Sequence, residues 1–175
     1  MQVFLIRHPR PLVEPGLCYG RLDVDCADPQ PVAARLHLPA ATTILSSPLR
    51  RARRLAEALG PRIRIDARLS EIDFGDWEGR RWDDIDRAAI DDWAADVLNY
   101  TPPRGESVAD LQRRVVDLAG ELAANRAGAS VALITHAGVI RALLGHWRQM
   151  PVAEWTQLKC DFGSMTEIEI DKTKA

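Results

Sequence analysis

Two short apolar runs near opposite ends of the chain restrict what it can fold into. Val3-Phe4-Leu5-Ile6 stops at Arg7-His8, and Val131-Ala132-Leu133-Ile134 stops at Thr135-His136. Runs of β-forming residues without polar alternation are strands buried on both faces, the pattern of a parallel sheet covered by helices on each side. Such a strand cannot keep arginine or histidine inside, so both polar pairs are expected at its carboxyl edge. In α/β sheets that edge is where ligand crevices lie, because crossover loops open there and helix N-termini point into the gap. The two runs therefore predict an α/β chain that brings two histidines to one rim.

The stretch between them is punctuated accordingly. Pro9 to Gly20 carries three prolines and two glycines, which forbid a helix and predict a loop wandering over the strand ends. A short helix over 29–36 and a second parallel strand over 42–46 follow. Ser47 fits an N-cap, Pro48 the first helical position and Gly60 the stop, predicting a helix over 49–59 that starts at the strand edge. Residues 62–65 alternate as a strand near the sheet's margin. Residues 80–97 form an acidic helical insertion whose Trp82 and Trp93 suit core, lid or substrate wall, and Pro102, Pro103 and Gly105 break it. Ser107 and Asp110 resemble a capping box for a long helix with Val108, Leu111, Val115, Leu118 and Leu122 on one face; Glu106 just ahead is a candidate for the rim. Val139 to Trp147 reads as a helix, Pro151 to Leu158 as another, Ser164 to Ile170 as a final strand and Asp171 to Ala175 as a frayed tail. His37 and His146 lack any motif and read as ordinary helix or surface residues.

With Arg7-His8 and His136 in place, two further stretches complete a pattern: Ser47-Pro48-Leu49-Arg50-Arg51-Ala52 and Leu69-Ser70-Glu71-Ile72-Asp73-Phe74-Gly75-Asp76-Trp77-Glu78-Gly79. In that order they resemble the histidine phosphatase family, which includes cofactor-dependent phosphoglycerate mutases, over nearly the whole chain. The resemblance implies a three-layer sandwich with a mostly parallel central sheet, phosphoglycerate mutase-like, and a phosphomonoester hydrolase working through a phosphohistidine. Pro15-Gly16-Leu17-Cys18-Tyr19-Gly20 with Asp23 is similar to the α-ribazole phosphatase branch, implying α-ribazole 5′-phosphate, or a related small phosphorylated metabolite, as substrate, with Tyr19 at the substrate. Two departures bear on that branch. Pro9 stands where glycine or threonine is usual and has no N–H to donate, and Asp25-Cys26 stands where Pro-Leu is common.

By the same resemblance His8 is the covalent acceptor, Arg7 and Arg51 hold the phosphoryl oxygens, His136, if protonated, adds a donor, and Glu71 is the proton donor, with Glu78 as the alternative carboxylate. The chemistry suits the residue types. A neutral imidazole attacks through one nitrogen when the other is held as a donor, and forked guanidinium hydrogen bonds match phosphoryl oxygens. Arg50, Arg53 and Arg54 crowd the same helix start, where cations are disfavoured unless an anion is bound, and read as a solvated basic face. A mutase, which must retain its phosphohistidine in a closed site, is the alternative; at 175 residues the chain lacks the mutases' extra length. A non-catalytic phosphate-binding module is the third reading, opposed by the presence of every core position.

At this length one domain, residues 1–175, is expected, burying roughly two-thirds of its unfolded surface. Lys and Arg total 23 against 25 Asp and Glu, a net charge of −2, so no global field recruits nucleic acid or a membrane surface and any anion must be held locally. Cys18, Cys26 and Cys160 lack metal or disulfide spacing and suggest a reducing, cytoplasmic setting. No cofactor and no metal are expected.

Overall fold

The computed structural model describes residues 1–125 and 130–170. Five strands form one sheet: β1 (Gln2–Arg7), β2 (Thr43–Ser46), β3 (Ile63–Ile65), β4 (Ser130–Thr135) and β5 (Met165–Glu169), in the order β3-β2-β4-β1-β5. The first four are mutually parallel and β5 runs antiparallel along the outer edge of β1. Register is set by the two apolar runs, with Val3 opposite Val131, Leu5 opposite Leu133 and Arg7 opposite Thr135.

Side-chain alternation explains why those runs contain no polar residue. Val3, Leu5, Val131 and Leu133 face one layer, where they meet Leu111, Val115 and Leu118 of α4 (Val108–Asn125) and Val139, Ile140 and Leu143 of α5 (Ala137–Trp147). Phe4, Ile6, Ala132 and Ile134 face the other, against Val32 of α1 (Gln30–Ala33) and Ala52, Leu55 and Ala56 of α2 (Arg50–Leu59). Each fully buried leucine or isoleucine contributes about 1.5–3 kcal/mol, and this face-to-face division is the three-layer sandwich expected.

Several boundaries differ from expectation for local reasons. Residue 49, not Ser47, caps α2, because Leu49 is itself extended (φ −66°, ψ 133°), and Ser47 Oγ accepts from the Leu49 N–H at 3.2 Å. The 80–97 insertion is broken into a 3₁₀ turn (Trp82–Asp84) and α3 (Arg87–Ala95), with Asp86 accepting from the Ala88 N–H as its cap. The helix expected from Pro151 to Leu158 shortens to α6 (Val152–Trp155). The capping box forms: Asp110 N–H donates to Ser107 Oγ at 3.1 Å, and Ser107 N–H donates back to Asp110 Oδ2 at 3.1 Å. The expected tail over 171–175 lies outside the described residues.

A third, smaller cluster stands apart from the sheet. Cys18, Trp77 and Ile85 are buried there, with Phe74, Trp82, Trp93 and Tyr100 packed around them. Its rings contact one another directly, Trp82 stacking on Trp93 at 5.8 Å and Trp77 on Tyr100 at 5.8 Å. Gly75 makes the turn beneath it, at φ +54°, and a Cβ there would collide with the Pro103 carbonyl. All three cysteines are free and buried, and among the described residues no helix is long and apolar enough to cross a membrane.

Candidate active site

At the carboxyl rim of β1, His8 keeps the strand's hydrogen bonding, its N–H donating to Thr135 O and its carbonyl accepting from Gly163 N–H, both at 3.0 Å. The ring turns inward and is 2% exposed. Nδ1 lies 2.6 Å from the Pro9 carbonyl. A carbonyl can only accept, so Nδ1 carries the proton and the lone pair is left on Nε2. Burial, aided by the Arg51 and Arg7 charges and opposed by the Pro9 hydrogen bond, lowers the His8 pKa to about 3. The proline that removes an N–H from this loop therefore leaves its carbonyl holding the tautomer that a nucleophile needs.

Two arginines flank this ring without a counter-ion. Arg51, on the first turn of α2, is fully buried and donates to Leu22 O at 2.9 Å and Gly20 O at 2.6 Å. Arg7 donates to Cys160 O at 2.5 Å and its guanidinium lies 3.8 Å from the Phe162 ring centroid. Among the described residues neither forms a salt bridge, and burial works against both charges, with Glu71 the largest opposing influence. Four buried side-chain nitrogen or oxygen atoms lack a hydrogen-bond partner among the described residues, and three of them are Arg7 Nε, Arg51 Nε and His136 Nδ1. Unsatisfied buried polar atoms cost about 1–3 kcal/mol each, a cost that hydrogen bonds to an anion would offset.

His136 sits at the matching rim of β4, where it is the residue preceding α5, and is fully buried. Its ring centroid is 5.0 Å from that of His8. Burial, then the Arg51 charge, holds its pKa well below the ordinary value and so works against the protonated form in which His136 would add a cationic donor. Its Nε2 meets Ser47 Oγ at 2.8 Å. With the Ser47 hydrogen given to Nε2 the ring proton sits on Nδ1 and a neutral His136 can still donate, while the second lone pair of Ser47 Oγ allows the converse arrangement as well. The sequence marks Ser47 as a helix cap, and its contact with His136 is made across 89 residues of chain.

The two candidate carboxylates have different surroundings. Glu78 accepts from the N–H groups of Arg21 at 2.6 Å, Leu22 at 2.5 Å and Phe74 at 3.0 Å, so it staples two loops together. Glu71 lines the cavity beside Arg7, His8 and Arg51, and accepts from Ile72 N–H at 3.1 Å and, at the start of α5, from Gly138 N–H at 3.2 Å. A Cβ at 138 would strike the Glu71 carboxylate, which explains glycine there. Glu106 is not on the rim. It pairs with Arg114 at 2.6 Å and Arg21 at 3.2 Å, and Arg114 also donates to the Arg68 and Glu71 carbonyls, fixing the loop that carries Glu71.

From this cradle a cavity of about 450 Å³ opens outward. Tyr19 lines it, its ring 5.6 Å from the Arg51 guanidinium. Phe74, Trp82 and Trp93 make an aromatic wall, and Trp155, Leu111 and Arg141 line it too. Trp77 belongs to the small core, whereas Trp82 and Trp93 serve core and wall together. Arg50, Arg53 and Arg54 are not lining residues; they pair with Asp23, Glu57 and Asp25. Phe162, under Arg7, carried no signal in the sequence.

The chain is similar to several phosphatases. It is 37% identical over 157 residues to a glucosyl-3-phosphoglycerate phosphatase of Mycolicibacterium vanbaalenii, covering 79% of this chain and 70% of that one. The corresponding Mycobacterium tuberculosis protein is 38% identical over 66% of this chain and 58% of its own length. An adenosylcobalamin/α-ribazole phosphatase of Escherichia coli is 27% identical over 98% of this chain and 91% of that one. The mycobacterial glucosyl-3-phosphoglycerate phosphatase structure superposes with a TM-score of 0.81 at 30% identity, covering 95% of this chain and 88% of that one. The Shigella flexneri α-ribazole phosphatase superposes at 0.88 and 25% identity, covering 98% and 92%. The model of the histidine phosphatase superfamily (branch 1) matches residues 3–175, and with the paired strand-end histidines and buried arginines it establishes that this chain belongs to that superfamily.

Proposed function

We propose that this phosphatase hydrolyses the phosphomonoester of a small, ring-bearing metabolite through a covalent phosphohistidine on His8. The observation carrying this reading is the held tautomer of His8, a neutral ring with Nδ1 on the Pro9 carbonyl, beside two arginines that form no salt bridge among the described residues. Nε2 attacks phosphorus while the phosphorus–oxygen ester bond breaks, and Glu71 gives the departing alkoxide its proton. Water then attacks the phosphohistidine, Glu71 takes the water's proton, and inorganic phosphate leaves with neutral His8 restored. Arg7, Arg51 and the Nδ1–H of His136 hold the equatorial oxygens as charge spreads over them; each such donor is typically worth about 10²- to 10³-fold in rate. Two fixed guanidinium charges supply the electrostatic stabilisation for which other phosphatases use a metal, so we read the reaction as metal-independent.

Two ring-bearing esters fit the cavity's apolar wall. α-Ribazole 5′-phosphate is supported by the Tyr19 loop and offers a flat base to Trp82 and Trp93. Glucosyl-3-phosphoglycerate is supported by the mycobacterial relatives and by Arg141, a cation that a base and ribose would leave unused.

The test is direct. His8→Ala should lose turnover of an aryl phosphate by on the order of 10⁴-fold or more, together with acid-labile phosphoenzyme, while circular dichroism stays unchanged. Undiminished labelling in that variant would remove His8 from the role.

A further inference from the structure

We propose that Phe162 is a positioning residue for phosphoryl binding, its ring face standing in for a counter-ion so that Arg7 is held in place with its charge un-neutralised. This rests on the phosphatase reading above and concerns the same site.

Arg7 and Phe162 meet because one turn clamps the end of β1 through backbone and side chain together. Arg7 N–H donates to Ser164 O and the His8 carbonyl accepts from Gly163 N–H, both at 3.0 Å, while Arg7 Nη1 donates to Cys160 O at 2.5 Å. Between those anchors the turn brings the half-buried Phe162 ring under the guanidinium, whose carbon is 3.8 Å from the ring centroid, and beside His8, at 5.6 Å between centroids. The turn is itself fixed from the α1 side. Arg35 Nη2 donates to Gly163 O at 3.0 Å, and Gly163 sits at φ +67°, where a Cβ would strike Arg35 and Val32.

A phosphoryl group needs a cation that is held yet still free to donate. Burial works against the Arg7 charge, and no salt bridge relieves it among the described residues. A carboxylate partner would stabilise the charge, but it would occupy the donors that the phosphoryl oxygens require and would have to be displaced by them. An aromatic face attracts a guanidinium through its quadrupole and takes none of its N–H groups. Cys160 O takes Nη1, and the buried Nε has no partner among the described residues. The edge formed by Nε and Nη2 is thus left as a fork for two oxygens. Arg51 shows the complementary arrangement, held by the Leu22 and Gly20 carbonyls while its aromatic neighbour Tyr19 stands off at 5.6 Å. Arg7, with one carbonyl, depends more on its ring.

The rival account has Phe162 merely filling space over His8, and ring electronics separate the two. Binding of inorganic phosphate to the full chain is measured by titration calorimetry. Phe162→Leu, which keeps apolar bulk and removes the π face, should weaken phosphate roughly 5- to 20-fold, and Phe162→Tyr should stay within about twofold of wild type. Replacing Phe162 by mono-, di- and trifluorinated phenylalanine drains charge from the ring face with little change in size, and affinity should fall stepwise along that series. Exposed Arg10 also lies 5.3 Å from this ring, so the series is repeated in Arg10→Met, where the gradient should persist. Phosphate affinity that stays flat across the fluorinated rings, a gradient that vanishes with Arg10, or a wild type that binds no phosphate overturns the proposal. Turnover of p-nitrophenyl phosphate by wild type distinguishes the failures. If it proceeds while the series is flat, only the role of Phe162 falls; if it does not proceed, the phosphatase reading falls and the phosphate series still decides what Phe162 does.

Discussion

The cradle at the strand ends and the aromatic wall above it are built on different physics. His8, Arg51 and His136 are almost wholly buried, and their side chains are held by backbone carbonyls, a hydroxyl and the sheet beneath. The wall rests on α3, which has no buried residue, and on 3₁₀ turns, and is held by ring-on-ring contacts. The loop around Cys18 ties it to the cradle, Cys18 N–H donating to Arg80 O and Gly79 N–H to Cys18 O, each at 2.8 Å, and the chain from Glu71 to Phe74 joins the two as well. A rearrangement in the core would misplace the cradle, whereas the wall can change residues without disturbing the sheet. On the proposed function, bond breaking falls to the buried part and the choice of ester to the half-buried wall.

Glu71 tests that division most severely because it lies at the junction, held by α5 yet facing the cavity. Glu71→Gln keeps both backbone hydrogen bonds within reach but removes the transferable proton. Turnover of alkyl esters should fall by about 10²- to 10⁴-fold, while p-nitrophenyl phosphate, whose leaving oxygen hardly needs the proton, should lose far less. Measuring kcat/KM across leaving groups checks this; an equal loss for both ester types would mean that Glu71 is part of the cradle's scaffold.

Acid should act on the cradle and leave the wall alone. Below pH 6.5 the unfolded chain binds a proton that folded His8 refuses until about pH 3, so the unfolded state gains protons and stability falls with pH across that window. One such group costs about 1.4 kcal/mol per pH unit, and His136, lowered in the same direction, adds to the slope. Urea midpoints from pH 7 to pH 5 should drop less in His8→Gln than in wild type, since the common effect of the surface carboxylates cancels between the two proteins. Parallel slopes would show that His8 is already protonated in the fold.

The same division decided what could be read from the sequence. Val3–Ile6 and Val131–Ile134 have no other stable place than the centre of a sheet, so strand burial and the rim position of both histidines follow from pattern alone, whereas the three-layer sandwich comes from the family resemblance. Arg51 and Glu71 became visible only through the family's motifs, because a helix start crowded with arginines looks the same whether one is buried or none. Glu78 and Glu106 show the limit: both are acidic and near the motif, and only the hydrogen bonds reveal that one staples loops and the other serves Arg114. Arg141 follows His136 by five residues in the sequence, and nothing there shows that Leu158 turns a carbonyl toward it. The 80–97 segment resisted more strongly, since its short turns answer to ring contacts with Phe74 and Trp77, made across the chain rather than along it.

The wall itself should yield the smallest effect, and one that depends on the ester. Trp82 touches Phe74 edge-on at 5.3 Å and stacks on Trp93, while its outer surface lines the cavity. An aromatic contact is worth about 0.5–1.5 kcal/mol beyond buried area, so Trp82→Ala should lower kcat/KM for a ring-bearing ester by roughly 3- to 10-fold. A small ester such as glycerol 3-phosphate, too short to reach the wall, should lose less than about twofold. Truncation also opens space beside Trp93, so Trp82→Phe provides the control: it keeps a ring for stacking and should recover most of the lost discrimination. Equal losses on large and small esters would mean that Trp82 acts by holding the Phe74 loop over Glu71, and selection would then belong to the cradle after all.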